Sequence, residues 1–264
     1  MCLAAFALRA HPRFPLVIAA NRDEFFARVA ASMDWWADRP EILAGRDLSA
    51  GGTWFGLTRS GRLALLTNVR EPGRQNPEAP SRGALVVDWL ESAADGPAFA
   101  QGLATGYNGF NLVTADLARN DWHWFSNRAA TPVALGPGIH TLSNAALDTP
   151  WPKTTGLRAA MSQGLALADD ADDLIERLLA ALADPTPAPD ADLPDTGVGL
   201  ARERLLSPRF IRMPDPARPE QALYGTRCSM VMVREAGGAT RVVERSITAD
   251  GQWQQPVVHA LNWP

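Results

Sequence analysis

A chain of 264 residues with a formal charge of −4, 46% hydrophobic and 20% charged, has an ordinary globular composition and enough length for a sizeable core. That balance excludes the basic footprint of a nucleic-acid binder, and two cysteines exclude a disulfide framework. Four scattered histidines, His11, His123, His140 and His259, lack metal-site spacing, and no apolar run reaches the ~18 residues of a membrane-spanning helix.

The first apolar run, Cys2–Leu8, lacks a positive n-region, and Arg9, His11, Pro12 and Arg13 interrupt it too early for a secretory leader. A cytoplasmic protein without membrane insertion is expected. Cys2–Leu8 and Phe14–Ala20 instead read as an antiparallel hairpin around that break. A turn centred near His11 sets Cys2 opposite Ala20, so that Asn21-Arg22-Asp23-Glu24 begins beside the thiol. A slip of one residue would turn the other side chains toward it.

A second hairpin, Thr53–Thr58 with Arg62–Asn68, turns at Ser60-Gly61 and sets Asn68 opposite Thr53, while Gly51-Gly52 suits a close backbone or ligand approach. Ser81 is placed to cap a helix over about 83–104, with Leu85, Trp89 and Ala93 at helical spacing. Residues 108–114 and 122–126 pair about Arg119-Asn120-Asp121. Thr149-Pro150 opens a helix to about Ala168, and Asp172–Ala183 forms another. A Pro- and Asp-rich loop over about 185–199 precedes strands near 209–213, 229–234 and 241–246. Strands, then helices, then strands indicate α+β layers in one domain, 1–264.

Cys2 stands directly behind the initiator methionine. Removal of Met1 would give it a free α-amine, whose pKa of about 8 suits a built-in base for its own thiol. Arg22 is placed to favour thiolate and to hold a substrate carbonyl or carboxylate, and Asp23 to orient the amine; a solvated strand end with an internal ion pair is the plainer alternative. Asn21 and Glu24 adjoin them as substrate contacts. Asn68, Asn144 and Asn111 are candidate oxyanion donors, although loop asparagines are commonly turn formers. Arg227, at a strand mouth, reads equally as a second anion contact or a surface ion-pair member. Cys228 reads as a packed thiol. Trp54, like Trp35, Trp36, Trp122 and Trp124, is suited to an apolar cleft or to the core.

Several stretches together resemble the NRDE family, whose animal members are called transport and Golgi organisation proteins. They are Met1-Cys2-Leu3, Ala19 to Phe26 around Asn21-Arg22-Asp23-Glu24, Ile42 to Asp47, Gly51-Gly52-Thr53-Trp54 and Thr67 to Pro72. Gly109 to Leu112, Leu142-Ser143-Asn144-Ala145, Leu147 to Lys153 and Tyr224-Gly225-Thr226-Arg227 complete the set. Departures are Val29, where a proline is common, and Cys228 and Met230 in place of Ser and Thr.

The resemblance implies an N-terminal-nucleophile hydrolase-like fold, a four-layer αββα sandwich of two antiparallel sheets between helix layers. It extends more distantly to cysteine acylases, and so implies Cys2 as nucleophile, Arg22 and Asp23 as its flanking pair, Asn144 or Asn68 at the oxyanion, and Arg227 as a late arginine. Two functions follow as expectations. One is hydrolysis of a linear amide or thioester in a small molecule, needing no cofactor. The other is binding and trafficking of haem or acyl-coenzyme A on the same scaffold.

Overall fold

The computed structural model describes residues 2–103 and 105–263. The chain opens with β1 (Cys2–Leu8), β2 (Leu16–Phe25), β3 (Ala30–Trp36), β4 (Arg39–Asp47), β5 (Phe55–Thr58) and β6 (Arg62–Asn68). Helices α1 (Gly83–Glu91) and α2 (Gly96–Gln101) precede β7 (Phe110–Asp116), β8 (Asp121–Ser126), β9 (Val133–Ala134) and β10 (Gly138–Leu142). Next come α3 (Pro152–Leu167), α4 (Ala171–Leu182) and α5 (Leu200–Leu206). Strands β11 (Arg212–Asp215), β12 (Arg218–Arg234), β13 (Ala239–Ser246) and β14 (Val257–Asn262) close the chain.

Contacts divide the chain into two compact units. The first comprises the residues up to Ala27 and Pro137–Asn262; its antiparallel sheet runs β10-β1-β2-β12-β13-β14, with β11 against β12. The second comprises Arg28–Gly136 with Trp263; its antiparallel sheet runs β3-β4-β5-β6-β7-β8-β9. In each unit helices cover one face of the sheet, which is the expected α+β layering.

In the first unit Leu3, Ala5 and Ala7 of β1 cluster with Val17, Ala19, Val231 and Val233 against Leu157 and Met161 of α3 and Leu174, Leu178 and Leu182 of α4. The strand alternates, so Cys2, Ala4 and Phe6 occupy the other face. Alanines on the helix side let α3 and α4 approach closely, and each buried leucine contributes roughly 1.5–3 kcal/mol. Asp170 starts α4 by accepting from the Asp173 N–H at 2.9 Å. In the second unit Leu85, Val86 and Trp89 of α1 pack on Ala64 and Leu66 of β6 and Leu112 of β7.

The first hairpin pairs Cys2 with Arg22, two residues beyond the expected Ala20. Its loop is longer than read: Arg9, in the left-handed region, donates its N–H to Pro15 at 2.7 Å, so the turn centres on Pro12. A two-residue shift keeps every side chain on its face and draws the polar run into β2 itself. In the second hairpin Phe55 faces Leu65, one residue from the expected register. Gly61, at φ 87°, makes a three-residue loop where a two-residue turn was read. The Gly51-Gly52 reading of close approach is borne out, because a Cβ on Gly52 would lie 2.5 Å from the carbonyl carbon of Gly83.

The helix expected over 83–104 is two helices, and Ala104 lies outside the described residues. Ser92 turns extended, Asp95 caps α2 through the Ala98 N–H, and Pro97 has no N–H to donate into a continuous helix. Ser81 lends α1 its carbonyl rather than its hydroxyl, and Pro152, not Pro150, lies just inside α3. The 185–199 stretch is largely exposed, with a short 3₁₀ turn at Asp190–Asp192. Strands β3, β4 and β14 and helix α5 have no counterpart in the sequence reading. Among the described residues no helix is long and apolar enough to cross a membrane.

Candidate functional site

The site grows from one transverse row of the first sheet. Cys2 on β1 pairs with Arg22 on β2, Arg22 with Cys228 on β12, and Cys228 with Ser246 on β13. On the other side β1 pairs with β10 as far as Ala4–Leu142. β10 ends at Leu142, and Ser143 and Asn144 follow directly as the chain bends away beside the start of β1. Ser143 donates its hydroxyl to the Cys2 carbonyl at 3.0 Å, which fixes the first strand residue against the segment that carries Asn144. Both Ser143 and Asn144 are buried. The tie from Ser143 to Cys2 spans 141 positions and carries no local sequence signal.

Burial pushes the Cys2 thiol above its ordinary pKa. The Asp23 carboxylate adds to that shift, while the Arg22 guanidinium and an N–H donated by the Asp23 backbone oppose it. Near neutral pH the Cys2 side chain therefore rests as the neutral thiol.

Arg22 is 9% exposed, and among the described residues its side chain makes no hydrogen bond or ion pair. Asp23 accepts from the Thr226 hydroxyl at 2.8 Å, and the Tyr224 hydroxyl donates to its backbone carbonyl at 3.3 Å. Arg227 is the extra residue of a β-bulge in β12 between Thr226 and Cys228. Its guanidinium donates to the carbonyls of Phe25 (2.9 Å) and Phe26 (3.4 Å) and lies over the Phe26 ring. Burial, then the neighbouring Arg22, depresses its pKa. This geometry makes Arg227 a tie that closes the end of β2, a role that neither reading from the sequence gave it.

Asn21 does not share the thiol's face. It is fully buried on the helix side, where its Nδ2 donates to Leu182 (2.9 Å) and Arg209 (2.8 Å) and its Oδ1 accepts from Ser229 (2.6 Å). Both of its N–H donors are spent holding β2 to the end of α4, and its side chain faces the helices rather than the thiol, which does not fit the substrate contact expected of it. Glu24 is half-buried and turns Oε1 back onto the Phe25 N–H at 2.8 Å. Asn68, Asn111 and Trp54 belong to the second unit, where Asn68 pairs with Phe110 and the fully buried Asn111 donates to Thr67 Oγ1 at 3.1 Å. Trp54 is buried there beside Phe55.

Two further buried groups lie in or near the row: Cys228, packed as read from the sequence, and Glu244, which the sequence reading did not single out. Cys228 hydrogen-bonds Glu244, and burial followed by that carboxylate raises its thiol well above the ordinary value. Glu244, 3% exposed, faces Met230 across β12 and β13. Both cysteines are free thiols. With β2 between them they stand about 9–10 Å apart, beyond the roughly 7 Å that a disulfide tolerates. Among the described residues no three His, Cys, Asp or Glu side chains gather as a metal site.

The family model described as Transport and Golgi organisation 2 matches residues 1–249. The Transport and Golgi organization protein 2 homolog of Bos taurus is 35% identical over 272 residues, covering 94% of this chain and 93% of that protein. The Homo sapiens homolog is 33% identical, with the same coverage of 94% and 93%. Among solved structures, the chain is similar to a conjugated bile acid hydrolase from Clostridium perfringens, at 10% identity and TM-score 0.43, covering 100% and 97% of the two chains. It is also similar to a Caenorhabditis elegans N-acylethanolamine-hydrolyzing acid amidase ortholog, at 15% identity and TM-score 0.47, covering 88% and 92%.

Proposed function

This chain belongs to the Transport and Golgi organisation 2 family, and from its site we propose that it is a cysteine hydrolase of linear amides or thioesters, with Cys2 as an N-terminal nucleophile. The observation that carries this reading is the register of the first sheet, which brings the thiol, the Arg22 guanidinium and the Asp23 backbone N–H together.

The reaction follows from the neutral thiol. With Met1 removed, the Cys2 α-amine takes the thiol proton as Sγ bonds to the carbonyl carbon of the substrate. The carbonyl π electrons move to oxygen, where an Asn144 N–H meets the developing charge. Collapse breaks the C–N or C–S bond, and the α-ammonium returns its proton to the leaving amine or thiol. A water, deprotonated by the same amine, then cleaves the Cys2 thioester to release the acid and restore the thiol. Arg22 holds a substrate oxygen, and Asp23 accepts from the ammonium formed during each half-reaction.

The test uses purified full-length protein, intact-mass measurement and turnover of a panel of N-acyl amides and acyl thioesters. Wild type is expected without Met1 and active; Cys2→Ala is expected to lose turnover and the acyl-enzyme mass, and Asn144→Ala to lose about 10²–10³ in kcat. Equal turnover by Cys2→Ala, or activity in protein retaining Met1, would overturn the reading.

A further inference from the structure

The segment that carries Ser143 and Asn144 leaves the sheet at the end of β10 and returns at Asp148. Its closure is unusually complete. The Asp148 N–H donates to the Thr141 carbonyl at 2.8 Å, and Asp148 Oδ1 accepts from the Thr141 N–H at 2.7 Å. Both backbone groups of Thr141 are thereby bound to one residue, and the six residues between are drawn into a closed loop. Asp148 holds φ 57°, a left-handed conformation that Asp and Asn tolerate better than most residues.

Two basic side chains fix the carboxylate from two different elements. His140 of β10 places Nδ1 3.0 Å from Oδ2. Arg158 of α3 donates to Oδ1, to the Ile139 carbonyl, and to Thr141 Oγ1 at 3.2 Å. One arginine thus joins α3, the edge strand and the neck of the loop. Thr149 continues the tie, donating its N–H (3.2 Å) and hydroxyl (2.8 Å) to Ala146, while the Thr154 hydroxyl binds Thr149 at 2.8 Å.

This apparatus stands away from the reacting atoms. Asp148 is exposed, yet the loop it closes presents Ser143 to the Cys2 carbonyl and carries the buried Asn144 next to it, where the Ser143 hydroxyl also reaches Asn144 Oδ1 at 3.3 Å. An oxyanion donor must be held to within a few tenths of an ångström, because only donors fixed in advance stabilise the transition state more than the ground state. Loops hold such positions less well than strands, so a loop donor needs a dedicated clamp.

We infer that Asp148, held by Arg158 and His140, is a positioning residue that sets Asn144 against Cys2 by locking the neck of the 142–147 loop. The inference rests on the hydrolase reading above. It ascribes no contact with substrate to Asp148, and it assigns Arg158 and His140 to the same device.

The experiment measures steady-state kinetics and acyl-enzyme formation on an N-acyl p-nitroanilide with full-length protein lacking Met1. Asp148→Ala is expected to lower kcat about 10- to 100-fold with KM changed less than about twofold, the split that marks an interaction made in the transition state. Asp148→Asn retains the left-handed preference and an acceptor for Thr141, and is expected to recover a substantial part of that loss. Arg158→Gln is expected to fall between them. Leu174→Ala, which opens a cavity under α4 in the same unit, serves as a stability-matched control with kcat unchanged. Asp148→Ala acting at the wild-type rate, or a control losing rate in parallel with Asp148→Ala, overturns the inference alone. A wild type that forms no Cys2 acyl-enzyme overturns it together with the hydrolase reading, so the two failures are distinguishable.

Discussion

Two thiols in this chain show how position within one sheet row sets reactivity. Burial raises both, yet Cys2 sits beside a guanidinium and a backbone N–H, while Cys228 faces the Glu244 carboxylate. Alkylation by iodoacetamide requires thiolate, so the Cys2 rate is expected to lie below that of an unburied cysteine at neutral pH and to climb as pH rises past the ordinary thiol value. Arg22→Gln removes a cation that favours thiolate and is expected to move the profile to higher pH, slowing labelling several-fold at fixed pH. An unchanged or faster rate in Arg22→Gln, followed by mass spectrometry of the labelled peptide, would remove Arg22 from the nucleophile's environment. Cys228 is expected to stay unlabelled until the protein unfolds. The pairing of Cys2 with Arg22 was nearly legible from sequence, because two apolar runs around a Pro-containing break demand a hairpin. The two-residue error came from the loop, whose width depends on a left-handed Arg9 that no pattern of residues announces.

At the scale of elements, β2 is both the wall of the site and a structural tie. Its even residues Arg22 and Glu24 share the Cys2 face, whereas Asn21 turns toward α4 and completes the end of that helix. Asn21→Ala would strand the Leu182 and Arg209 carbonyls and the Ser229 hydroxyl; at about 1–3 kcal/mol for each buried group left unpaired, a loss of at least about 2 kcal/mol is expected in urea unfolding. Iodoacetamide labelling of the native Cys2 should not change, which separates this role from the substrate contact expected from sequence. A comparable argument applies where β5 begins. Gly52→Ala drives a Cβ into the Gly83 backbone, which cannot yield as a side chain would, and is expected to cost about 1–3 kcal/mol, whereas Gly237→Ala, with nothing within 4 Å, should be near neutral. The adjacency of Asn21 to Arg22 in sequence suggested a shared role, and strand alternation sends the two side chains to opposite faces. The first half of β12, before Ser229, and β14 were missed for a related reason. Their alternation is weak, and β14 carries half-buried residues on one side and exposed ones on the other.

For the molecule as a whole, carboxylates held by arginines determine how stability responds to acid. Glu71, 10% exposed at its side chain, accepts from Arg128 at 2.8 and 2.6 Å and from the Gly109 N–H at 3.1 Å. The Arg128 hydrogen bond is the main reason its pKa lies below the ordinary glutamate value. A depressed folded-state pKa means that this contribution is fully present above the unfolded-chain value of about 4.3 and is lost as pH falls through the folded value. Unfolding free energy is therefore expected to decline below about pH 4–5, and Glu71→Gln to flatten that decline while lowering stability near neutrality. Equal acid slopes for the two proteins in urea titrations at several pH values would show that Glu71 does not contribute to the response.

By itself, the sequence determined the α+β class, the first hairpin, the α3 and α4 helices and the family, since each rests on local periodicity, turn chemistry or contiguous motif residues. The Asn21-Arg22-Asp23-Glu24 run and the Leu142-Ser143-Asn144 segment were visible as stretches of polar residues at strand ends. Only the tertiary structure decided which of them meet the thiol. Arg22 and Cys228 join Cys2 in one row because β2 lies between β1 and β12, a partnership across more than 200 positions that leaves no trace in spacing. The same long-range register sent Asn21 to the helix side, gave Cys228 a buried carboxylate, and made Asp148 the neck of the loop that carries Asn144. Local residues choose a strand, but which strand lies beside it and in what register is set by burying every face and pairing every edge at once, a condition on the whole sheet.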